Sequence, residues 1–275
     1  PSPAVPARAP RAATSRLLAG GPPIRPEMAE NVGRYTESRA AVFLDWHPRK
    51  PEMLILTRFG DTNQVHFVTQ PGGARTQLTF FADRINDASF DPQAAAFFVF
   101  SKSAGGNEFN QNYRYDFATG EVTLLTDGKS RNSAPTWSTD GKRVAYTSTR
   151  RNGADTDIYL ESPNDPNSDR LPEEVRGGAW DIAHGSPDAP TLHVAEYVSI
   201  NESYLWLFDT KTGARTELTP RPAEGDDKVA YASPRFAKDG KGIFVTTDRD
   251  SAFPRPTYPH PAPNEHTHPA PAAKV

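Results

Sequence analysis

The sequence predicts an all-β fold, a β-propeller of about five four-stranded blades, because three observations agree. One unit recurs along the middle of the chain with a spacing of 44 to 51 residues. Each copy contains short apolar runs rich in β-branched and aromatic residues, and glycine-containing turns separate these runs at matching places. The repeat leaves open whether five copies form a complete or an incomplete ring.

Two sets of landmarks define the repeat. Its anchor residues are separated by 44, 47, 48 and 51 residues, and they are Trp46, Phe90, Trp137, Gly185 and Phe236. Its closing Leu-Thr pairs end at residues separated by 47 and 93, which are Thr79, Thr126 and Thr219. Because 93 is close to two periods, both sets keep the same frame. In the third copy the polar run PNDPNSDRL replaces the closing run.

The runs are strands and not helices. MLILTRF and RVAYTSTR lack the i, i+3, i+4 apolar spacing of an amphipathic helix. A glycine with positive φ suits the tight turn of a hairpin. Such turns are predicted at Thr119-Gly120, Asp140-Gly141, Thr212-Gly213 and Asp239-Gly240.

Proline marks both ends of the repeat region. Seven of the 27 prolines lie in residues 1–26 and seven more in residues 251–275. We expect a disordered arm over residues 1–30, blades over 31–253, and an irregular Pro/His-rich remnant of a blade over 254–275. The remnant APNEHTHPA aligns with ATGEVTLLT of the second copy, but its prolines remove N–H donors that a strand needs.

Composition excludes several classes of protein. Lys and Arg total 31 against 34 Asp and Glu, so no broad basic field is available for nucleic acid or an anionic membrane. The absence of Cys excludes disulfides, thiolate zinc sites and a Cys nucleophile. The apolar runs are at most about seven residues long, whereas a membrane-spanning helix needs ~20. No cofactor is predicted.

Several segments resemble known propellers. WSTDGK, FAKDGK and the DTDIY element are similar to TolB-type repeats. LDWHP, GGARTQLTFF, YDFATGEVTLLTDGKSRN, YTSTRRNGADTDIY and DGKGIFVTTDRDS resemble the N-terminal propeller portion of bacterial prolyl oligopeptidase-family serine peptidases. This resemblance extends from about residue 30 to residue 253.

The resemblance to the peptidase family implies a function. In that family the propeller covers the active site of an α/β-hydrolase domain and filters substrates by size. The expected partners are the hydrolase domain of the same polypeptide and, in the full-length enzyme, a peptide substrate. The resemblance implies a periplasmic or secreted location slightly more than a cytoplasmic one.

The sequence departs from this family in one respect. The G-x-S-x-G nucleophile motif is absent, and its nearest approach is GKSRN at residues 128–132. We therefore expect a truncated portion of such an enzyme, inactive alone, and we name no catalytic residue. The alternative is a TolB-like, non-catalytic propeller that binds a protein.

Four arginines are candidate contacts with a substrate or a partner. Arg58, Arg150, Arg151 and Arg249 follow second strands at similar places in their blades. An arginine fork can bind a carboxylate in two places. The alternative is that these arginines form ion pairs between blades with nearby aspartates.

Other chemistry-bearing residues have a more ordinary explanation. Asp45, Asp87 and Asp181 lie near the inner ends of their blades, where paired carboxylates could hydrolyse glycosides, but solvated strand-end carboxylates are far commoner. The histidines of HPAPNEHTH and the four aspartates between residues 155 and 169 could suggest metal ligands. We predict no metal site, because the histidines lie in an irregular tail and aspartates commonly cap the turns between strands. The four tryptophans are predicted to pack between blades.

Overall fold

The structure, a computed structural model, describes residues 24–138, 140–177, 179–185, 191–223, 225–237, 242–249, 254–259 and 266–267. The chain divides into two compact units, Pro1–Arg39 and Ala40–Val275.

The described part of the first unit contains the helix α1 over Pro26–Thr36. Pro26 suits its first turn because the missing N–H would have no partner within the helix, and Glu27 and Arg34 complement the helix dipole. The arm predicted over residues 1–30 overlaps this helix, and residues 1–23 lie outside the described part of the chain. None of the described helices has the length and apolar character that crossing a membrane requires.

The second unit contains five antiparallel four-stranded blades in a ring. Blade 1 is formed by β1 (Val42–Trp46), β2 (Met53–Thr57), β3 (Gln64–Val68) and β4 (Arg75–Gln77). Blade 2 is formed by β5 (Ile85–Phe90), β6 (Phe97–Lys102), β7 (Gln111–Asp116) and β8 (Val122–Leu124). Blade 3 is formed by β9 (Thr136–Trp137), β10 (Val144–Ser148), β11 (Asp157–Ser162) and β12 (Asp165–Glu173).

Blades 4 and 5 repeat the same order. Blade 4 is formed by β13 (Ala179–Gly185), β14 (Thr191–Ser199), β15 (Glu202–Asp209) and β16 (Arg215–Glu217). Blade 5 is formed by β17 (Tyr231–Phe236), β18 (Ile243–Thr247), β19 (Arg255–Pro259) and β20 (His266–Thr267). The first strands of blades 1 and 2, of blades 3 and 4, and of blades 4 and 5 contact one another, so the first strands are the innermost strands. The predicted all-β propeller of about five four-stranded blades is confirmed.

Apolar clusters lie between successive blades. Leu54 and Val65 of blade 1 pack with Phe90 and Phe98 of blade 2. Phe97 and Val99 on the other face of blade 2 pack with Val144 of blade 3. Similar clusters join blade 3 to blade 4 and blade 4 to blade 5. Each blade is therefore stabilised by its neighbours, as in other repeat architectures.

Three tryptophans pack between or within blades, as predicted. Trp137 packs against Phe97 of blade 2, and its Nε1 donates to Ser89 Oγ at 2.9 Å. Trp180 and Trp206 lie 5.7 Å apart in the cluster between blades 3 and 4. Trp46 differs, because it is 55% exposed.

The predicted turn glycines have the expected backbone. Gly120, Gly141 and Gly213 have φ of 71°, 65° and 82°. These values lie in the left-handed region that glycine adopts without a steric penalty. The fourth, Gly240, lies outside the described residues.

The segment predicted to be an irregular remnant contains two short strands. β19 pairs with β18 from Arg255 to Thr257, and β20 pairs with β19 at Tyr258 and Pro259. The described ladders here span three and two residue pairs, whereas β6 and β7 share six. Prolines lack the N–H donor, which is consistent with this shortening. The rest of residues 254–275 lies outside the described part.

Candidate functional site

The loops between second and third strands lie at the same end of the blades as the connections between blades, because neighbouring strands are antiparallel. We call this end the rim face. In blades 1 and 2 it includes residues 58–63, 78–84 and 103–110. The four candidate arginines follow β2, β10 and β18 and therefore lie on the rim face: Arg58, Arg150, Arg151 and Arg249.

Arg150 is held inside blade 3. Its guanidinium pairs with the Asp169 carboxylate of β12 and lies 3.4 Å from the Tyr146 hydroxyl. The guanidinium carbon also lies 3.7 Å from the centroid of the Tyr159 ring. These contacts use both the charge and the flat face of the guanidinium.

Arg151 forms a two-pronged ion pair in the same blade. Its Nε donates to Asp157 Oδ2 at 2.7 Å, and its Nη2 donates to Asp157 Oδ1 at 3.1 Å. Asp157 is fully buried, and its Oδ1 also accepts the backbone N–H of Val175 at 2.9 Å. Arg151 Nη2 further contacts Asp155 Oδ2 at 2.9 Å.

The ion pairs of Arg150 and Arg151 lie within blade 3, whereas the alternative considered from the sequence was pairing between blades. Arg58 and Arg249 are half-buried, and the backbone N–H of Arg249 donates to Thr247 Oγ1 at 3.1 Å. Contact with a substrate or a partner stays a prediction for all four arginines.

A polar cleft of about 540 Å³ opens on the rim face between blades 1 and 2. Asp83, Arg84 and Glu108 supply its charges. The cleft wall is fixed by two hydrogen bonds, from the Gly105 N–H to Asp83 Oδ1 at 2.8 Å and from Asn86 Nδ2 to Asn110 Oδ1 at 2.9 Å. The cleft therefore presents charges of both signs to solvent.

This cleft was not predicted from the sequence. Its residues come from the β4–β5 connection, the β2–β3 loop and the β6–β7 loop, which are separated along the chain. The available signal was the Gly105-Gly106 pair, whose φ values of 61° and 73° shape the β6–β7 loop.

Two carboxylates on the inner strands interact across blades 1 and 2. Asp45 Oδ1 accepts the N–H of Trp46, and Asp45 Oδ2 accepts the N–H of Phe90 in β5, both at 2.9 Å. Burial raises the pKa of Asp45. Burial and the charge of Asp45 both raise the pKa of Asp87. Since backbone groups occupy both oxygens of Asp45, this residue ties blade 1 to blade 2.

The third inner carboxylate, Asp181, lies on β13 of blade 4 and is exposed. Its Oδ1 accepts the N–H of Ile182 at 2.9 Å. This contact is local to β13, so Asp181 has no part in the link between blades 1 and 2.

Among the described residues, no group of three or more His, Asp or Glu side chains could hold a metal ion. Asp155 and Asp157 of the aspartate-rich segment contact Arg151, and Asp165 accepts the Asn167 N–H at 3.1 Å. The side chains of the three tail histidines, His260, His266 and His268, lie outside the described part.

No protein-family profile and no curated protein matches the chain by sequence. A prolyl endopeptidase, from work on inter-domain dynamics in catalysis and specificity, is similar with a TM-score of 0.67 and 13% identity. That match covers 84% of this chain and 37% of that chain. TolB from Acinetobacter baumannii is similar with a TM-score of 0.54 and 18% identity, over 76% of this chain and 51% of that chain.

The chain therefore spans less than two thirds of the length of either solved structure. Identities of 13% and 18% show a shared fold. The chain is a β-propeller similar in fold to prolyl endopeptidase and TolB.

Proposed function

We propose that this chain is the substrate-gating propeller part of a prolyl oligopeptidase-like serine peptidase. The observation that carries the proposal is the structural match to a prolyl endopeptidase over 84% of the chain. The sequence motifs from residue 30 to residue 253 support the same family.

In this proposal the chain supplies no catalytic residue. The hydrolase domain of the same polypeptide carries the nucleophile, and the propeller covers its active site. A propeller surrounds a central channel, and in this proposal the first strands of the blades, β1, β5, β9, β13 and β17, line it. A narrow channel admits short peptides and excludes folded proteins.

The rim face is the end of the propeller that we assign to docking of the hydrolase domain. It presents Arg58 and Arg249 together with the polar cleft that contains Arg84. Exposed or half-buried guanidinium groups can bind carboxylates of a facing domain. Arg150 and Arg151 would keep the blade 3 loop rigid through their ion pairs with Asp169 and Asp157.

The proposal is tested with the complete polypeptide that contains this chain. We expect hydrolysis of a blocked Gly-Pro nitroanilide and little or no cleavage of a folded, proline-containing protein. Arg58→Glu and Arg249→Glu should lower kcat/KM by about fivefold or more, which corresponds to about 1 kcal/mol. Arg143→Glu, at the opposite end of blade 3, is the matched control and should retain activity. Absence of hydrolysis, or equal effects of all three changes, would overturn the proposal.

The alternative is a non-catalytic propeller that binds a protein, and the similarity to TolB favours it. In that case the complete polypeptide would hydrolyse neither substrate. The rim-face changes would then weaken capture of the partner without any effect on an enzymatic rate.

A further inference from the structure

A carboxylic acid is buried in the interface between blades 2 and 3. Glu161 lies on β11 directly opposite Val144 of β10, so both side chains share one face of blade 3. Val144 packs on that face with Phe97 and Val99 of blade 2. Glu161 is 1% exposed.

Glu161 forms no ion pair in the described part of the chain, and the charge of Arg150 compensates its burial only in part. Neither of its carboxylate oxygens has a hydrogen-bond partner in the described part of the chain. The two arginines of this interface are engaged elsewhere, since Arg150 pairs with Asp169 and Arg114 pairs with Asp116 at 3.1 Å. A buried carboxylate without a partner is strongly disfavoured, and such a group stays neutral instead.

The surrounding charges favour the neutral acid. Burial and the negative charge of Asp169 raise the pKa of Glu161 to about 8, although the nearby Tyr146 hydroxyl and the charge of Arg150 lower it in part. The titratable and charged groups that act on Glu161 are Tyr146, Arg150, Asp165 and Asp169 of blade 3. Tyr159 stacks on Tyr146 in the same blade, Asp127 of the connection between the blades interacts with the charge of Arg150, and Arg114 pairs with Asp116 on β7 of blade 2.

We propose that Glu161 is a proton-controlled latch between blades 2 and 3: the protonated acid lets the two blades pack, and loss of the proton favours an interface opened to water. In the open state the carboxylate is solvated and has its ordinary pKa. The closed state therefore binds the proton more tightly. Opening becomes easier as the pH rises from about the ordinary pKa of 4.5 to the raised value of about 8, and it levels off above that value.

Hydrogen exchange, corrected for the intrinsic pH dependence of amide exchange, tests the latch. In the unmodified chain, the opening constant for amides of β6, β7, β10 and β11 should increase by up to about tenfold per pH unit between pH 5 and pH 8. Amides in blade 4 should show no matching increase. Glu161→Gln keeps the side-chain volume without the titration, and its opening constants should stay within about twofold over this range. Glu121→Gln, at an exposed turn of blade 2, is the control and should behave like the unmodified chain.

A second variant distinguishes Glu161 from other titrating groups even if Glu161→Gln folds poorly. Tyr146→Phe removes the hydroxyl that stabilises the charged carboxylate, so the levelling-off should move above pH 8. The latch is overturned if Glu161→Gln keeps the full pH dependence, if Tyr146→Phe leaves the levelling-off unchanged, or if protection falls equally in all blades.

Discussion

The buried hydroxyl of Thr79 accepts the backbone N–H of Val65 at 2.9 Å. Thr126 accepts the N–H of Asn112 at 3.1 Å, and Thr219 accepts the N–H of Leu205 at 2.9 Å. In each of these three blades the threonine and the residue that donates to it are 14 positions apart. The recurring closing threonine is therefore a hydrogen-bond acceptor for the third strand at the point where the fourth strand has ended.

Removal of this acceptor should destabilise the propeller. Thr79→Val keeps the shape but leaves the buried Val65 N–H without a partner, so the free energy of unfolding should fall by about 1–3 kcal/mol in urea titrations. Thr79→Ser keeps the hydroxyl, so its free energy of unfolding should fall clearly less. A larger loss of stability for Thr79→Ser than for Thr79→Val would show that the methyl group, and not the hydrogen bond, explains the repeat.

Gly141 joins a strained backbone to a contact between blades. Its φ is 65°, and an added Cβ would lie 2.8 Å from Gln93 Cγ and 2.9 Å from Pro92 Cγ of blade 2. Gly141→Ala should therefore cost more than the ~1–2 kcal/mol expected for the left-handed conformation alone.

Gly153→Ala is the matched control for this prediction. Gly153 has a φ of 77°, and nothing lies within 4 Å of an added Cβ. In thermal unfolding, the melting temperature of Gly141→Ala should be lower than that of Gly153→Ala. The same melting temperature in both variants would contradict the blade contact.

Arg151→Ala should clearly lower the free energy of unfolding, because it leaves the fully buried Asp157 carboxylate without its counter-charge. Arg143→Ala, which changes an exposed side chain in the same blade, should stay within about 0.5 kcal/mol. Urea unfolding measures both variants. A neutral effect of Arg151→Ala on stability would favour a role in binding.

Asp87→Asn should stabilise the chain at neutral and alkaline pH. The pKa of Asp87 is raised by burial and by Asp45, so the folded state holds this proton more tightly than the unfolded state. Its contribution to stability is present at acid pH and is lost as the pH rises through the raised pKa. The asparagine should not show this loss, and the gain at pH 8 should be on the order of 0.5 kcal/mol.

Urea titrations of Asp87→Asn at pH 4 and pH 8 measure this difference. A gain that is larger at pH 4 than at pH 8 would have the wrong sign. It would show that the Asp87 carboxylate is stabilised, not destabilised, in the folded chain.

The repeat frame could be predicted from the sequence because each landmark has a local physical cause. The turn glycines need positive φ, and the closing threonines satisfy a strand N–H. The strand β12 could not be predicted, because it is formed by the polar run DPNSDRLPE. As the last strand of its blade it pairs on one side, so it needs no alternating apolar pattern.

The buried Glu161 was also missed, for a different reason. Alternation along DIYLES places Glu161 on the opposite face from Ile158 and Leu160. However, a single sequence does not show how completely the neighbouring blade covers that face. The sequence indicated that Arg150 and Arg151 could pair with nearby aspartates, but it did not identify those aspartates. The register of β11 and β12 decides which aspartates the two arginines reach.

The central claim is that this propeller gates a hydrolase domain in the same polypeptide. Sequencing the coding DNA from the codon of residue 230 to several hundred codons beyond residue 275 tests it most directly. The account predicts an open frame that encodes G-x-S-x-G, followed by Asp and His in the order of an α/β-hydrolase. A stop codon directly after residue 275 would contradict the gating function and would make protein binding the leading explanation.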